Sequence, residues 1–508
     1  MITFIPNDPL AKAGPATRKI KPHAKRAGGR ADFAFNGEAK EGIHNTSTPE
    51  FLFWQCREAA LRAVEVWEMI DSKLKAWGTA SPKKLTLTPN AGFQLNAGYT
   101  QAGLDFYEFA TDDKSTFSGA STDVVSHEAG HAFLDALRPE LWTTTFPETN
   151  AFHEAFGDCV AILTALSDKE TRTSLLAVTK DLGKNNFVET LMEDLADGTK
   201  RAHGDDFDSS APRQALNNFK WQLPSSLPKR GKPSLLTSEA HSFGRVFAGC
   251  FYDALRNIFA NQPKQDQANL WKAAQTLGKL LATAAREAQE TPRFFQSIGR
   301  AMVLADQKLN EGINKVAIID AFTRHNLSLG SAAMLEPRSS LAGAPPKMKG
   351  KRGASILMTS TRKDLKRLIG APPKARLAVS ARSIGDEQIA EATHYREVSL
   401  ASLSKDLKGV VTFAAEPVLV GSSGKRAAVL SNLPNEGTTT DEVHTFVSTL
   451  LEADAIDFDE TSRTAAPTRG FRAAGSVGAE ATRPRRPLPT HVIRMRGNQK
   501  VLERIRFV

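Results

Sequence analysis

The run Ser126-His127-Glu128-Ala129-Gly130-His131 sets two imidazoles four residues apart, and that spacing brings them to a shared partner only on an α-helix. The flanking residues agree with a helix. Val125, Ala129, Ala132, Phe133 and Ala136 recur at helical spacing, and Asp123 stands early, where the helix dipole favours an anion. On such a helix His127 and His131 can offer ring nitrogens to one Zn²⁺. Glu128, one residue along, turns out of that pair towards a metal-bound water, the place of a general base. Gly130 costs about 1 kcal/mol in a helix interior, a cost that close approach of another backbone would explain.

Zinc with an open position needs a third protein ligand. Phe152, Ala155, Phe156, Cys159, Ile162, Leu163 and Leu166 outline a second amphipathic helix, with Asn150 expected as its N-cap. Glu154 and Asp158 share one face of it. Glu154 reads as the third ligand, and Asp158 as acceptor of the other ring N–H of a ligating histidine. His153, adjacent to Glu154, points about 100° away on the helix and is read as a non-ligand.

These residues together resemble the thermolysin family of zinc metallopeptidases. Asp123 to Glu128 is similar to the start of that family's first ligand helix, and Asn150 to Asp158 to its third-ligand helix. Upstream, Asn96-Ala97-Gly98-Tyr99 leading to Leu104-Asp105-Phe106-Tyr107 resembles the edge strand whose asparagine and following backbone hold an extended substrate. Downstream, His241-Ser242-Phe243-Gly244 resembles the motif whose histidine stabilises the tetrahedral intermediate. Arg213 falls at a spacing before His241 like that of the family's substrate-carbonyl arginine, and Ala321-Phe322-Thr323 is similar to the close of the catalytic region. The resemblance covers roughly residues 90 to 330.

It implies an α+β fold: a zincin-like two-lobe metallopeptidase domain with a mainly helical second lobe. It also implies zinc-dependent peptide-bond hydrolysis, with Glu128 activating a metal-bound water, His241 stabilising the intermediate, and Asn96 and Arg213 holding the substrate. Two departures stand beside it. Leu236 occupies the position of the aspartate that orients the family's histidine, so either Glu239 takes that part or His241 is less firmly held. The family's assisting tyrosine has no counterpart between Trp142 and Pro147. A second reading therefore stands: a zinc-binding protein of thermolysin fold with weak or no peptidase activity, acting as a binding module. Asp123 matches a position that helps bind calcium in the family, but its companion carboxylates are not recognisable in the sequence, so no calcium is expected.

At 508 residues the chain has room for more than one domain. Residues 1–48 are expected to be a basic flexible extension, 49–330 the catalytic domain, 331–375 a basic Pro/Gly-containing linker enclosing one short basic helix, and 376–508 a separate, smaller mixed α/β domain of unread function. Within the catalytic region, helices are expected over 50–77, 241–259, 266–289, 293–309 and 313–325, and a strand over 84–96. In the last region strands are expected at 410–413 and 418–420, a helix at 441–451, a mobile loop at 465–487, and a hairpin joining 490–494 to 501–508 about Gly497-Asn498. Cys56, Cys159 and Cys250 are too scattered for a disulfide framework, and no Sec-type signal or membrane-length apolar run is present. A cytoplasmic setting is the expectation, with non-classical export as the other route. The net charge of +10 gathers largely in tails and linkers without aromatic interleaving, which reads as solvated linker rather than a nucleic-acid surface. The expected partner is a peptide or protein substrate, and the oligomeric state is not legible.

Overall fold

Thr48 accepts the Phe51 amide with its hydroxyl and Pro49 opens the first helix, α1 (Pro49–Ile70), a start that a fixed φ and a missing donor favour. The computed structural model describes the chain apart from residues 25, 27–29, 75, 79, 112–113, 204–212, 331–361, 385–386, 424–425, 432 and 459–486. Three helices meet against α1. They are α2 (Thr122–Leu137), α3 (Pro147–Ser167) and, behind them, α7 (Gln267–Glu287). Trp67 of α1 stacks on Phe133 at 5.5 Å and meets the edge of Phe156 at 5.2 Å, so both motif-bearing helices share one aromatic core. α4 (Lys169–Val178), α5 (Glu193–His203), α6 (Ala240–Ala260), α8 (Phe294–Asn310) and α9 (Lys315–Arg324) complete this helical part.

The expected Gly130 contact is present. A Cβ on Gly130 would stand 2.8 Å from the Cα of Gly157, so α2 and α3 touch at a distance only glycine permits.

Residues 1–48 are not a free extension. They contribute β1 (Ile2–Phe4), β2 (Arg18–Ile20) and β3 (Asp32–Phe35), and Ile2, Phe4 and Phe33 are buried. β3 runs parallel to β4 (Lys84–Thr88), which runs parallel to β6 (Gly103–Phe106), while β5 (Ala97–Thr100) pairs antiparallel with β6 at the sheet's edge. The strand expected over 84–96 thus ends at Thr88, because the chain must turn through Asn90 to Asn96 before its return. β7 (Glu108–Ala110) and β8 (Ser115–Phe117) form a short hairpin, and β9 (Thr190–Leu191) pairs with β10 (Arg213–Gln214).

Residues 362–508 add α10 (Arg362–Leu368), α11 (Glu436–Glu452) and one sheet of seven strands, ordered β11 (Leu377–Ile384), β12 (Glu387–Ser399), β13 (Val410–Ser423), β17 (Gln499–Arg504), β16 (His491–Arg496), β15 (Ile456–Asp457), with β14 (Arg426–Val429) also on β13. The two short strands expected at 410–413 and 418–420 are one strand. The hairpin turns at Gly497, whose φ of +62° suits glycine, but its second strand ends at Arg504 and residues 505–508 leave the sheet. The expected loop at 465–487 lies outside the described residues but for its last, and most of the expected linker lies outside them too, although its basic helix is α10. Phe146, just before α3, sits in the core of this second sheet with Val398, Val410, Phe446 and Leu502. Among the described residues no helix is long and apolar enough to cross a membrane, and all three cysteines are free and buried.

Candidate metal centre

Ser121 caps α2 by accepting the Val124 amide, and the helix then presents His127 and His131 from one face, as their spacing requires. Both imidazoles are fully buried. His127, Glu128 and His131 offer ligand atoms within 4.8 Å of one another, a buried cluster able to hold a metal ion. His127 Nε2 lies 3.3 Å from Glu154 Oε2 and His131 Nε2 lies 3.7 Å from Glu154 Oε1. Neither Nε2 has a hydrogen-bond partner, and Glu128 Oε2 has none. Polar atoms so deeply buried are ordinarily satisfied, so three orphaned donor atoms in one cluster fit a bound cation.

Behind the cluster, Asp158 Oδ1 meets His127 Nδ1 at 3.0 Å, which aims Nε2 at Glu154. Gly157 makes room for that ring: a Cβ there would stand 2.5 Å from His127 Nδ1. Arg213, buried on β10, donates to Asp158 at 3.0 Å and to Glu154 at 3.4 Å, so it lies on the acidic side of the cluster. His241 opens α6. Its Nε2 is 3.1 Å from Glu154 Oε2 and its Nδ1 2.6 Å from Glu239 Oε1. Glu239 is also the helix cap, accepting the Ser242 amide at 2.9 Å, so this carboxylate takes the part that Leu236 cannot play. Asn96 accepts its neighbour's amide (Ala97 N) at 2.9 Å and lines the cleft rather than the donor cluster.

Charge in the centre follows from these contacts. Burial disfavours the Glu154 carboxylate, but the nearby His241, His131 and His127 outweigh it and hold the carboxyl well below its usual range. His241 is the complement: burial disfavours its cation, yet Glu154 and Glu239 push it well above the ordinary imidazole value. Burial lifts the Glu128 carboxyl to about 7.

Asn150 is not the cap of α3. Phe146 holds that position and Asn150 lies inside the first turn, donating to the Phe146 carbonyl and accepting from Arg504. His153 lies outside the donor cluster, as expected, but it is fully buried with both ring nitrogens unpartnered, and burial and Arg504 depress its basicity to about 3. Its ring stacks on Phe507 at 4.0 Å, and Phe507 stacks on His131 at 4.9 Å. No periodicity in the sequence links Phe507 to these helices. A second group was also out of reach: Asp8, Asp123 and Glu193 bring carboxylate oxygens within 4.8 Å, a set able to hold a cation, so two companions of Asp123 do exist. Asp8 comes from the basic N-terminal segment, whose composition gives no sign of an acidic partner.

Glu154, His241, Asn96, Asn150, Phe446 and Phe507 line a cavity of about 180 Å³ between the helical part and α11. Ser238 and Thr449 hydroxyls meet at 3.0 Å, and Arg293 joins Glu148 at 3.2 Å to Glu442 at 2.8 Å, so residues 436–452 close one wall. No protein-family model matches this chain, and no curated protein matches it.

Proposed function

We propose that this chain is a zinc-dependent peptidase, with His127, His131 and Glu154 as metal ligands, Glu128 as general base and His241 as donor to the tetrahedral intermediate. The observation that carries the reading is the pair of buried, unpartnered Nε2 atoms facing the two Glu154 oxygens at 3.3 and 3.7 Å. Two imidazoles and a carboxylate suit Zn²⁺ with one position left open. Bound there, zinc supplies the Lewis acidity that polarises a peptide carbonyl and brings the pKa of water towards about 7.

The remaining work belongs to the side chains. Glu128, beside the ligand cluster with one oxygen unpartnered, takes the proton of the attacking water. Glu239 fixes the tilt of His241 through Nδ1, so its Nε2–H faces the cleft and donates to the developing oxyanion; one such donor is worth roughly 3 kcal/mol in the transition state. Asp158 keeps His127 Nε2 turned to the metal position. Arg213, whose Nε is buried and unpartnered, holds a substrate carbonyl, and Asn96 on the cleft wall positions the substrate backbone.

The test measures zinc content and peptide hydrolysis together in wild type, Glu128→Gln and His131→Ala. The expected outcome is zinc bound and peptide cleaved by wild type, zinc kept and turnover lost in Glu128→Gln, and both lost in His131→Ala. Zinc bound with no turnover in wild type would replace the peptidase by the binding module. A metal-free wild type would remove the ligand assignment.

A further inference from the structure

β5 is an edge strand, and an edge strand offers unpaired amides and carbonyls to any extended segment beside it. In this chain the segment is its own. Tyr99 N donates to the Phe507 carbonyl at 3.1 Å, and Phe507 N donates back to the Tyr99 carbonyl at 3.0 Å, a closed antiparallel pair. Phe507 is 2 % exposed, and its side chain enters the cleft. It stacks on His153 and His131, meets the edge of Trp142 at 5.5 Å, and lies under the Arg504 guanidinium at 3.9 Å. Arg504 in turn donates to Asn150 on the third-ligand helix. Val508 and Phe507 both line the cavity that also holds Glu154 and His241.

We infer that residues 506–508 occupy the β5 edge and the aromatic seat beside His131 as an intramolecular ligand, which an incoming peptide must displace. The inference rests on the proposed peptidase reading for the use of the cleft, but not for its geometry. Three observations support displacement rather than permanent structure. Beyond the Ile505 and Arg506 amides, which still donate to the Thr490 carbonyl, the segment has left the β16–β17 hairpin, it makes its strand pairing to β5 through a single residue pair, and its aromatic anchor covers a histidine of the donor cluster. The ligand class follows: an extended peptide whose aromatic side chain takes the Phe507 seat while its backbone pairs with Tyr99.

The probe is a fluorescein-labelled Arg-Ile-Arg-Phe-Val peptide, the sequence of residues 504–508, added to full-length zinc-loaded Glu128→Gln protein so that it is not turned over. If the docked segment leaves a tenth or less of the sites open, Phe507→Ala in the same background binds the probe about ten-fold more tightly or better, because apparent affinity scales with the open fraction. Equal affinity in the two proteins, or no binding to either, overturns the inference. Amide hydrogen exchange on the protein with Phe507 intact gives a second reading that does not depend on how the variant folds. Excess unlabelled peptide should speed exchange at Phe507 while Tyr99, re-paired with the peptide, stays protected; unchanged protection at both overturns the inference. Binding and displacement without hydrolysis by wild type would refute the proposed activity and leave this surface standing.

Discussion

Replacing Gly157 by alanine sets two opposing effects on one atom. Alanine favours a helix interior over glycine by about 1 kcal/mol, so propensity alone predicts a more stable protein. The added Cβ would stand 2.5 Å from Nδ1, 2.6 Å from Cε1 and 2.9 Å from Cγ of His127, and ordinary contact begins at 3.4 Å, so the ring must retreat by 3.4 − 2.5 = 0.9 Å. His127 is fully buried and its Nδ1 is tied to Asp158 at 3.0 Å, so it has no free space to retreat into. Overpacking of this kind costs about 1–3 kcal/mol, which cancels or exceeds the propensity gain. The larger effect falls on the metal. A ring shifted by most of an ångström loses its bond to Asp158, and loss of such an outer partner weakens metal affinity about 10–100-fold. Competition against a chromophoric chelator measures that affinity, and thermal melts with and without chelator measure stability. A Gly157→Ala protein with wild-type zinc affinity and a raised Tm would refute both the clash and the ligand role of His127.

Asp158→Ala should weaken zinc binding about 10–100-fold while far-ultraviolet circular dichroism stays unchanged, read by the same competition assay. Burial opposes charge on Glu416, but bonds from His394, Arg396 and Thr439 hold its carboxyl down to about 2. Its stabilising share is therefore complete above the unfolded value near 4.5 and is lost as pH falls towards about 2; Glu416→Gln should cost about 1–3 kcal/mol at pH 7 and flatten the acid limb of Tm against pH. Glu193 behaves oppositely: burial and Asp8 raise its carboxyl from 4.5 to about 8. Its favourable share is complete below 4.5 and lost as pH rises through about 8, so in chelator Glu193→Gln should remove a decline in Tm over that window; an unchanged slope would refute the assignment.

The helices carrying the centre were legible because helical periodicity and ligand spacing report the same geometry. His127, His131, Glu154 and Asp158 sit on two faces that the apolar residues define independently, and α6 to α9 fall close to their expected bounds. The sequence leaves open whether Glu239 holds His241 or the ring is less firmly held, and the 2.6 Å contact favours Glu239. Short strands escaped. β1 to β3 span three or four residues each in basic, Gly- and Pro-containing sequence, too few to register an alternation. Asp8 and Phe507 escaped for a different reason: each reaches its partners only through tertiary packing, and no local pattern encodes a contact between residues so far apart in the chain. Asn150 has the side chain of an N-cap, but Pro147 at the first helical position is the stronger signal and sets the cap of α3 at Phe146.

α3 belongs to two cores. Phe146 at its head packs among residues 398–502, while Phe152, Phe156 and the rest of its length pack among residues of the helical part. During synthesis the ribosome delivers the two histidines and Glu154 long before it delivers Val398, Phe446 or Leu502. The head of α3 therefore waits, with its anchoring phenylalanine uncovered, through the translation of some two hundred and fifty further residues, at roughly 5–20 residues per second a delay on the order of ten seconds or more. Burial of the head of α3 is timed by residues translated long after the stretch that encodes the donor cluster.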